Sequence, residues 1–409
     1  MKISACLMVK NEEKFLPQCL ESIQPMVDEI IVVDTGSTDN TIQIAESFGA
    51  KVYHSPWQDN FSFHRNESIS YADDGSWVLI IDADERLVKF PNCKGINDLK
   101  KWLSLVEKQY NAVALMVNDI QNKEVAMSCN SGRIFKKEYI HYENRVHNSP
   151  IFDGAAVLCD LISLEHYGYD LSKEQMMTKF HRTHKLLMRE LKDVDESGLP
   201  KNKDVYFYLC QLLGHHKRHK ESRKWGYKYL KLKHIIPPDR FNYTIYFTMI
   251  KSCQEAGLME EAYKLINEAM GERPLDPDIA SALADHGALT DNKYVMAEGC
   301  RRYIRGYREM VENPAKKAGQ FYFSLREDLL TLNIYRLCIA SLQEGMETWK
   351  YLKPRLSKTS PDVLKELYSN LNLIGQAHLL SEVKEVYGDV VGMVKNLPKL
   401  DVYQIPIGE

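Results

Sequence analysis

The sequence predicts an α/β domain over residues 1–170, built on a mixed and largely parallel sheet, followed by an all-α domain of helix pairs over 171–409. Three observations carry that prediction. Apolar strand-like runs alternate with helical patterns through the first 90 residues, which implies parallel strands joined by crossover helices. Two of those runs end in acidic residues, Asp34 and Asp82-Ala83-Asp84. Acidic groups therefore gather at the carboxyl edge of the sheet, where open α/β sheets bind ligands. Beyond residue 170 the strand patterns stop and helix pairs recur, with starts near 206, 246 and 277, close to the period of tetratricopeptide-like arrays.

The bulk composition sets limits. The chain has 409 residues, is 44% apolar and 27% charged, and carries a formal charge of −3. No basic excess points to nucleic acid or to an anionic membrane. Met1–Val9 is apolar, but Lys10-Asn11-Glu12-Glu13-Lys14 cuts it off too early for a signal peptide or a membrane span, and no later apolar run approaches about 18 residues. The nine cysteines are scattered and contain no C-x-x-C pair, which argues for reduced thiols and a cytoplasmic setting rather than a disulfide or zinc framework.

Taken in order, Ile3–Val9 reads as a first strand, closed by the polar turn Lys10-Asn11-Glu12-Glu13. Phe15, Leu16, Cys19, Leu20 and Ile23 then recur at helical spacing. Glu29–Asp34 is a second strand, and Thr35-Gly36-Ser37-Thr38-Asp39-Asn40-Thr41 supplies small and capping residues that open a helix through Phe48. A third strand over 49–54 and a helix over Phe61–Ala72, bearing Arg65 and Asn66, lead to Trp77-Val78-Leu79-Ile80-Ile81. Five apolar residues in a row, three of them β-branched, read as a fully buried strand. Asp82 and Asp84 follow it. Alternation along an extended chain lets both project to the same side, and hard oxygen ligands at that spacing suit Mg²⁺ or Mn²⁺ bridged to a phosphate oxygen. An ordinary acidic turn after a strand is the competing reading.

Residues 91–170 change character. One helix over Ile96–Lys108 precedes strand-like segments at Ala112–Asp119, Ala126–Cys129, Arg133–Lys136 and Val157–Ile162, which are expected to extend the sheet on its acceptor side. His147 lies in Arg145-Val146-His147-Asn148, and His166 in Glu165-His166-Tyr167-Gly168-Tyr169. A lone histidine is more often structural than a ligand, and each of these gains weight only from its place after a strand. In the tail, helix pairs are expected over 206–230, 246–270, 280–307, 329–356 and 363–387; their tyrosine-rich faces are either partner-binding surface or core.

Taken together, Val9-Lys10-Asn11-Glu12, Val32-Val33-Asp34-Thr35-Gly36-Ser37-Thr38-Asp39, Phe61-Ser62-Phe63-His64-Arg65-Asn66 and Asp82-Ala83-Asp84 resemble the GT-A-fold glycosyltransferases of family 2, whose fold is a Rossmann-like mixed sheet. Arg133-Ile134-Phe135, Arg145-Val146-His147 and His166-Tyr167-Gly168-Tyr169 resemble a subset that carries a TPR-like helical tail. In layout the chain looks like the sublancin-type peptide S-glycosyltransferases, the glycocin glycosyltransferases, which modify cysteine in bacteriocin precursors. Asn148 departs from the subset, which commonly has glutamate after the histidine. The resemblance covers about 1–170.

The resemblance implies a UDP-sugar donor and a divalent metal, Mg²⁺ or Mn²⁺. By position, Val9, Lys10, Asn11 and Glu12 would frame the nucleotide, together with Gly36, Ser37 and Ala83. Asp34 would accept a hydrogen bond from the uracil, and Arg65 would lie near the diphosphate. Asp82 would contact ribose or metal, Asp84 would be the principal metal ligand, and His166 or His147 would complete the coordination. Family 2 enzymes typically invert the anomeric centre in one displacement, with a base taking the acceptor proton. Glu143, His147 and Asp153 are candidates for that base, Asp119 a further one, and a thiol acceptor with a pKa near 8.5 needs the base less than a hydroxyl does.

Three readings follow: a peptide or protein glycosyltransferase whose tail presents the acceptor or forms a homodimer; a transferase acting on surface polysaccharide or flagellin; and a helical scaffold with an inactive nucleotide-binding domain. Retention of both Asp82 and Asp84 speaks against the last. A dinucleotide-binding dehydrogenase is disfavoured because no G-x-G-x-x-G follows the first strand.

Overall fold

The computed structural model describes residues 1–121, 123–168, 173–238, 241–312 and 327–340. The expected helices over 349–387 and the residues Tyr169 and Asp170 lie outside them. The chain divides into two compact units, Met1–Val205 and Tyr206–Glu409.

In the first unit the elements run β1 (Ile3–Val9), α1 (Leu16–Ile23), β2 (Glu29–Asp34), α2 (Thr41–Ser47), β3 (Lys51–His54), α3 (Phe61–Ser70), β4 (Trp77–Ile80), β5 (Glu85–Lys89), α4 (Ile96–Val106), β6 (Tyr110–Gln121), β7 (Glu124–Lys136), β8 (Ile140–Glu143), β9 (Ser149–Phe152), β10 (Ala155–His166) and α5 (Lys173–Glu190). Eight strands form one sheet in the order β3-β2-β1-β4-β7-β6-β10-β5, and β8 and β9 form a separate hairpin. The first four strands are parallel and β7 joins β4 antiparallel, so the sheet is mixed as expected. β1 and β4 explain the unbroken apolar runs. Ile3, Ala5, Leu7, Trp77 and Leu79 enter one core, while Cys6, Val78 and Ile80 enter the core on the opposite face.

The sheet curls. Glu85 follows Ile80 by five residues, yet β5 stands four places from β4 in the strand order. Four strand spacings are roughly 19 Å, more than five residues span once Asp82 and Glu85 close a turn through the Glu85 N–H and the Asp82 carbonyl at 3.0 Å. Only a sheet bent back over that turn can seat β5 beside β10. The bend brings the carboxyl end of β10 over the Asp82–Asp84 turn.

The structure corrects four strand readings. The segments at 126–129 and 133–136 are one strand, β7, because β6 supplies pairing straight through Asn130-Ser131-Gly132, with a register shift at Val113/Ala114 absorbing the irregularity. β5 and the β8–β9 hairpin escaped the sequence pattern because each is only four or five residues long. β10 runs on to His166, four residues past the expected end, which places that histidine on the sheet rather than beyond it.

The second unit is helical: α6 (Val205–His215), α7 (His219–Leu230), α8 (Thr244–Glu255), α9 (Met259–Glu272), α10 (Pro277–Leu289), α11 (Lys293–Glu312) and α12 (Glu327–Ala340). The first six make three hairpins, and Tyr229, Tyr246 and Tyr303 are fully buried, so those tyrosines are core. Within the third hairpin the helices touch backbone to backbone. A Cβ at Gly299 would overlap the main chain of Ala284, so glycine is required there. No helix among the described residues is long and apolar enough to cross a membrane.

Candidate active site

Two loops at the carboxyl ends of β1 and β2 are stitched into one surface. The Val9 carbonyl accepts from the Thr35 N–H at 2.9 Å and from its hydroxyl at 3.1 Å. Asn11, at a left-handed φ of 56°, donates its N–H to Ser37 Oγ at 2.9 Å and accepts from the Thr38 N–H at 2.8 Å. The Glu12 N–H donates to Thr41 Oγ1 at 2.7 Å. Asp34 is buried, and its carboxylate accepts from the N–H groups of Gly36 and Ser37, both at 3.1 Å. Asp34 thus shapes the loop that the sequence assigned to the nucleotide, and Gly36, at φ 107°, makes the turn possible. Lys10 stays exposed at the rim.

Below these loops lies a buried charge lattice. Arg65, carried by α3 and only 4% exposed, donates to Asp82 Oδ1 at 2.7 Å. Arg133 enters from β7, donates to Glu85 Oε1 at 2.5 Å and stands 4.0 Å from Asp82 Oδ2. Glu85 accepts in turn from the Asp82 N–H at 2.9 Å. Burial pushes the Asp82 carboxyl up, but Arg65 and Arg133 outweigh it and hold the group at about 2. Burial pushes Glu85 up to about 7 against the pull of Arg133. Asp82 is ringed by protein yet keeps 39% of its side-chain surface, which is what the floor of an open cleft shows. Arg65 Nε and Nη1 and Arg133 Nε are buried with no acceptor. Buried guanidinium N–H groups without partners call for an anion.

Asp84 takes another partner. Ala83 turns into the core, so alternation sends the two aspartates out to the cleft. Asp84 Oδ2 lies 3.3 Å from His166 Nε2, while His166 Nδ1 lies 2.8 Å from Asp119 Oδ1. Residues 119 and 166 pair across the parallel β6–β10 ladder, so the fold itself sets this contact. Burial lowers His166, but Asp84 and Asp119 raise it, net to about 9. Gly168 closes over the pair: a Cβ there would overlap the Asp84 carboxylate and stand 2.7 Å from His166 Nε2.

The residues fit a divalent cation of the Mg²⁺ or Mn²⁺ kind. Among the described residues no three His, Cys, Asp or Glu side chains converge as a ready cage. Asp84 and His166 do converge, with 30% and 18% of their side-chain surfaces open to the cleft. A carboxylate and an imidazole backed by a second carboxylate suit a metal whose remaining ligands are phosphate oxygens and water.

Glu12 completes the rim. Burial, then the charges of Asp84, Asp82 and Asp39, push its carboxyl up to about 7, and Arg182 of α5 pulls the other way. Of the residues proposed as base, Glu143 pairs with His141 at 3.2 Å and is exposed, and His147, at φ 51°, sits in the exposed turn of the β8–β9 hairpin. That turn is pinned to the first turn of α3, where Arg145 O accepts from the Phe61 N–H at 2.9 Å and Asn144 O accepts from Ser62 Oγ at 2.6 Å. The backbone of the turn thus lies one helical turn from Arg65, and on β8 it is Tyr142, its ring 5.7 Å from the Arg65 guanidinium, that faces α3, while Glu143 alternates to the exposed side. Asp153 follows β9 at the other end of the hairpin, roughly 10 Å along the strand, and is not brought to Glu143 or His147. Asp119, weighed as a base, is engaged by His166.

Arg133 and Gly168 lay inside motifs that carried the resemblance but were given no role, and Glu85 adjoins the Asp82–Asp84 pair. Arg182 had no signal in the sequence and, like Arg133, reaches the site through tertiary packing.

The family described as glycosyl transferase family 2 matches residues 4–89, from β1 through β5. A TPR repeat-containing protein of Synechococcus elongatus is 30% identical over 292 residues, 67% of this chain and 67% of that protein. An uncharacterized glycosyltransferase of Rickettsia felis is 32% identical over 198 residues, 44% of this chain and 66% of its own length. The SPbeta prophage-derived glycosyltransferase SunS of Bacillus subtilis is 24% identical over 240 residues, 54% of this chain and 55% of that protein. The chain thus spans between about half and two thirds of the length of these relatives. With the curled mixed sheet, the ordered acidic cleft and the helical region that follows in sequence, the chain carries a glycosyl transferase family 2 domain over residues 4–89 and is a glycosyltransferase with a GT-A domain and a TPR-like helical tail.

Proposed function

We propose that the protein is an inverting, metal-dependent hexosyltransferase that uses a UDP-sugar and glycosylates a peptide or protein, at a Cys thiol or at Ser or Thr, of the bacteriocin-precursor kind. The observation that supports it best is the division of labour between the two aspartates, with Asp82 on Arg65 and Asp84 on His166. The resemblance of the Arg133-Ile134-Phe135, Arg145-Val146-His147 and His166-Tyr167-Gly168 pieces to the peptide S-glycosyltransferases supports the peptide-directed reading over a polysaccharide acceptor.

In this reading the loops at 9–12 and 34–41 hold the nucleoside, Arg65 and Arg133 offer their unpaired N–H groups to the diphosphate, and Asp84 and His166 hold a divalent cation. That cation supplies neutralisation of the charge that builds up on the departing diphosphate. The acceptor sulfur or oxygen attacks the anomeric carbon, the bond to the β-phosphate oxygen breaks with its electron pair leaving on UDP, and the acceptor proton passes to a base or to water. Glu143, His147 and Asp153 are the candidates for that base, and His147 is the second candidate metal ligand beside His166. A cytoplasmic setting accords with the unpaired thiols, among them Cys6, Cys19 and Cys210. Residues 1–170 carry the donor fold, and 171–409, apart from α5, which belongs to the first unit, serve the acceptor or a homodimer.

Purified protein incubated with UDP-glucose, Mg²⁺ and cysteine-containing peptides gives a hexose mass increment on the peptide; silence on every Cys, Ser and Thr peptide overturns the acceptor assignment. Light scattering on the eluting protein gives twice the chain mass, and a single 47.3 kDa species refutes the homodimer.

A further inference from the structure

Helix α5 brings cations to the donor cleft from outside the sheet. Arg182, Lys185 and Arg189 lie three and four residues apart, so they form one stripe along it. The stripe faces the loop that leads into α3. Arg189 and Lys185 both pair with Asp59, and Asp59 in turn accepts from the Trp57 indole N–H at 2.9 Å. The far end of α5 is tied down as well, since Asn202 donates to Glu190 at 3.1 Å. Arg182 is the odd member. Its guanidinium stands 5.5 Å from the Phe61 ring centroid, at the first residue of α3, and no carboxylate of the described residues comes within 4.0 Å of it. It stays exposed. The acid whose charge it feels is Glu12, which also lies in the field of Asp84 and Asp82. A cation held on a fixed helix, over an aromatic ring one turn from Arg65, is set up for an anion that arrives with a metal.

We propose that Arg182 is a phosphate-binding residue of the donor site, supplied by α5, and that it engages the distal phosphate of the bound nucleoside diphosphate. The inference rests on the donor reading given above. A nucleoside diphosphate bound to one divalent cation keeps net negative charge, and Arg182, whose Phe61 contact lies one turn of α3 from Arg65, adds an exposed cation beside the buried one that Asp82 already engages. Its contact with the Phe61 ring sets the approach. The nucleoside half of the ligand, held at the loops over 34–41, makes no demand on Arg182.

The test is calorimetric titration of the full chain with UDP, UMP and uridine in the presence of Mn²⁺. Arg182→Ala weakens UDP by about 10- to 100-fold and changes UMP and uridine by less than about threefold, because only the distal phosphate loses a charge-assisted partner. Arg182→Gln, which keeps most of the stem over Phe61, gives the same pattern, and Arg182→Lys recovers part of the affinity. Equal weakening of UDP and UMP overturns the assignment, since it marks a displaced helix rather than a lost phosphate contact. Unchanged UDP affinity in both neutral variants overturns it too, while the donor reading survives. Failure of the wild-type chain to bind UDP, or any other nucleoside diphosphate tried in its place, brings down the donor reading and this inference together.

Discussion

Alanine at Asp84 lowers kcat/KM for sugar transfer by about 10³-fold, close to 4 kcal/mol of transition-state stabilisation, and leaves the melting temperature within a few degrees of wild type. The size follows from the geometry. Asp84 Oδ2 and His166 Nε2, 3.3 Å apart, are the two side-chain donors that converge at the cleft, so removing the carboxylate leaves a lone imidazole. A single neutral ligand holds Mg²⁺ or Mn²⁺ poorly, and the departing diphosphate then carries its charge uncompensated. Stability is spared because Asp84 is 30% open and its side-chain partner among the described residues is His166, which keeps Asp119 at 2.8 Å. Asp84→Asn separates shape from charge: it fits the same space under Gly168 and should be nearly as inactive. Manganese titration followed by electron paramagnetic resonance reads the ligand directly. If Asp84→Ala binds Mn²⁺ and releases UDP at wild-type rates, the metal assignment is wrong.

How much of this was legible beforehand depends on distance along the chain. Asp82 and Asp84 stood out because strand alternation is local, and Ala83 in the core shows that alternation at work. β1, β2 and the start of β4 were legible for the same reason, as continuous apolar runs buried on both faces. What the two aspartates do was not legible. The Asp82 partner comes from α3, seventeen residues back, and depends on how that helix lies on the sheet. The His166–Asp119 contact spans 47 residues and exists because β10, past a bulge between Leu158 and Ser163, pairs with β6 in the register Ser163↔Met116 to His166↔Asp119; a slip of one residue there would turn the imidazole to the opposite face. Arg182 was hidden for a related reason. Its helix has an ordinary amphipathic pattern and follows the last strand, so periodicity alone groups it with the helical tail. In the structure its stripe of cations closes on Asp59 and Phe61 of the first unit. Local rules gave the acidic edge of the sheet, and tertiary register decided which acid does what.

Arg65→Met is expected to cost about 3 kcal/mol of folding stability, read by urea denaturation, and to abolish transfer. The guanidinium is buried beneath the cleft, and methionine fills much of its volume, so the loss is chiefly electrostatic: Asp82 is left facing Arg133 at 4.0 Å as its nearest cation. Breaking a fully buried pair costs about 3–5 kcal/mol, and the low end applies because water reaches the 39% of the Asp82 side chain that opens to the cleft. Asp82→Asn leaves the complementary defect, a buried arginine with one N–H on a neutral amide. In the double variant, methionine faces asparagine and neither charge is stranded. Its loss of stability should then fall short of the sum of the single losses by about 1.5 kcal/mol or more, the sign of direct coupling. Transfer stays abolished in the double variant, because repairing the lattice does not restore the guanidinium N–H groups that have no protein acceptor. That split distinguishes two jobs of one residue. If the double variant regained activity along with stability, Arg65 would be a structural partner of Asp82 and nothing more, and its free N–H groups would not be waiting for phosphate.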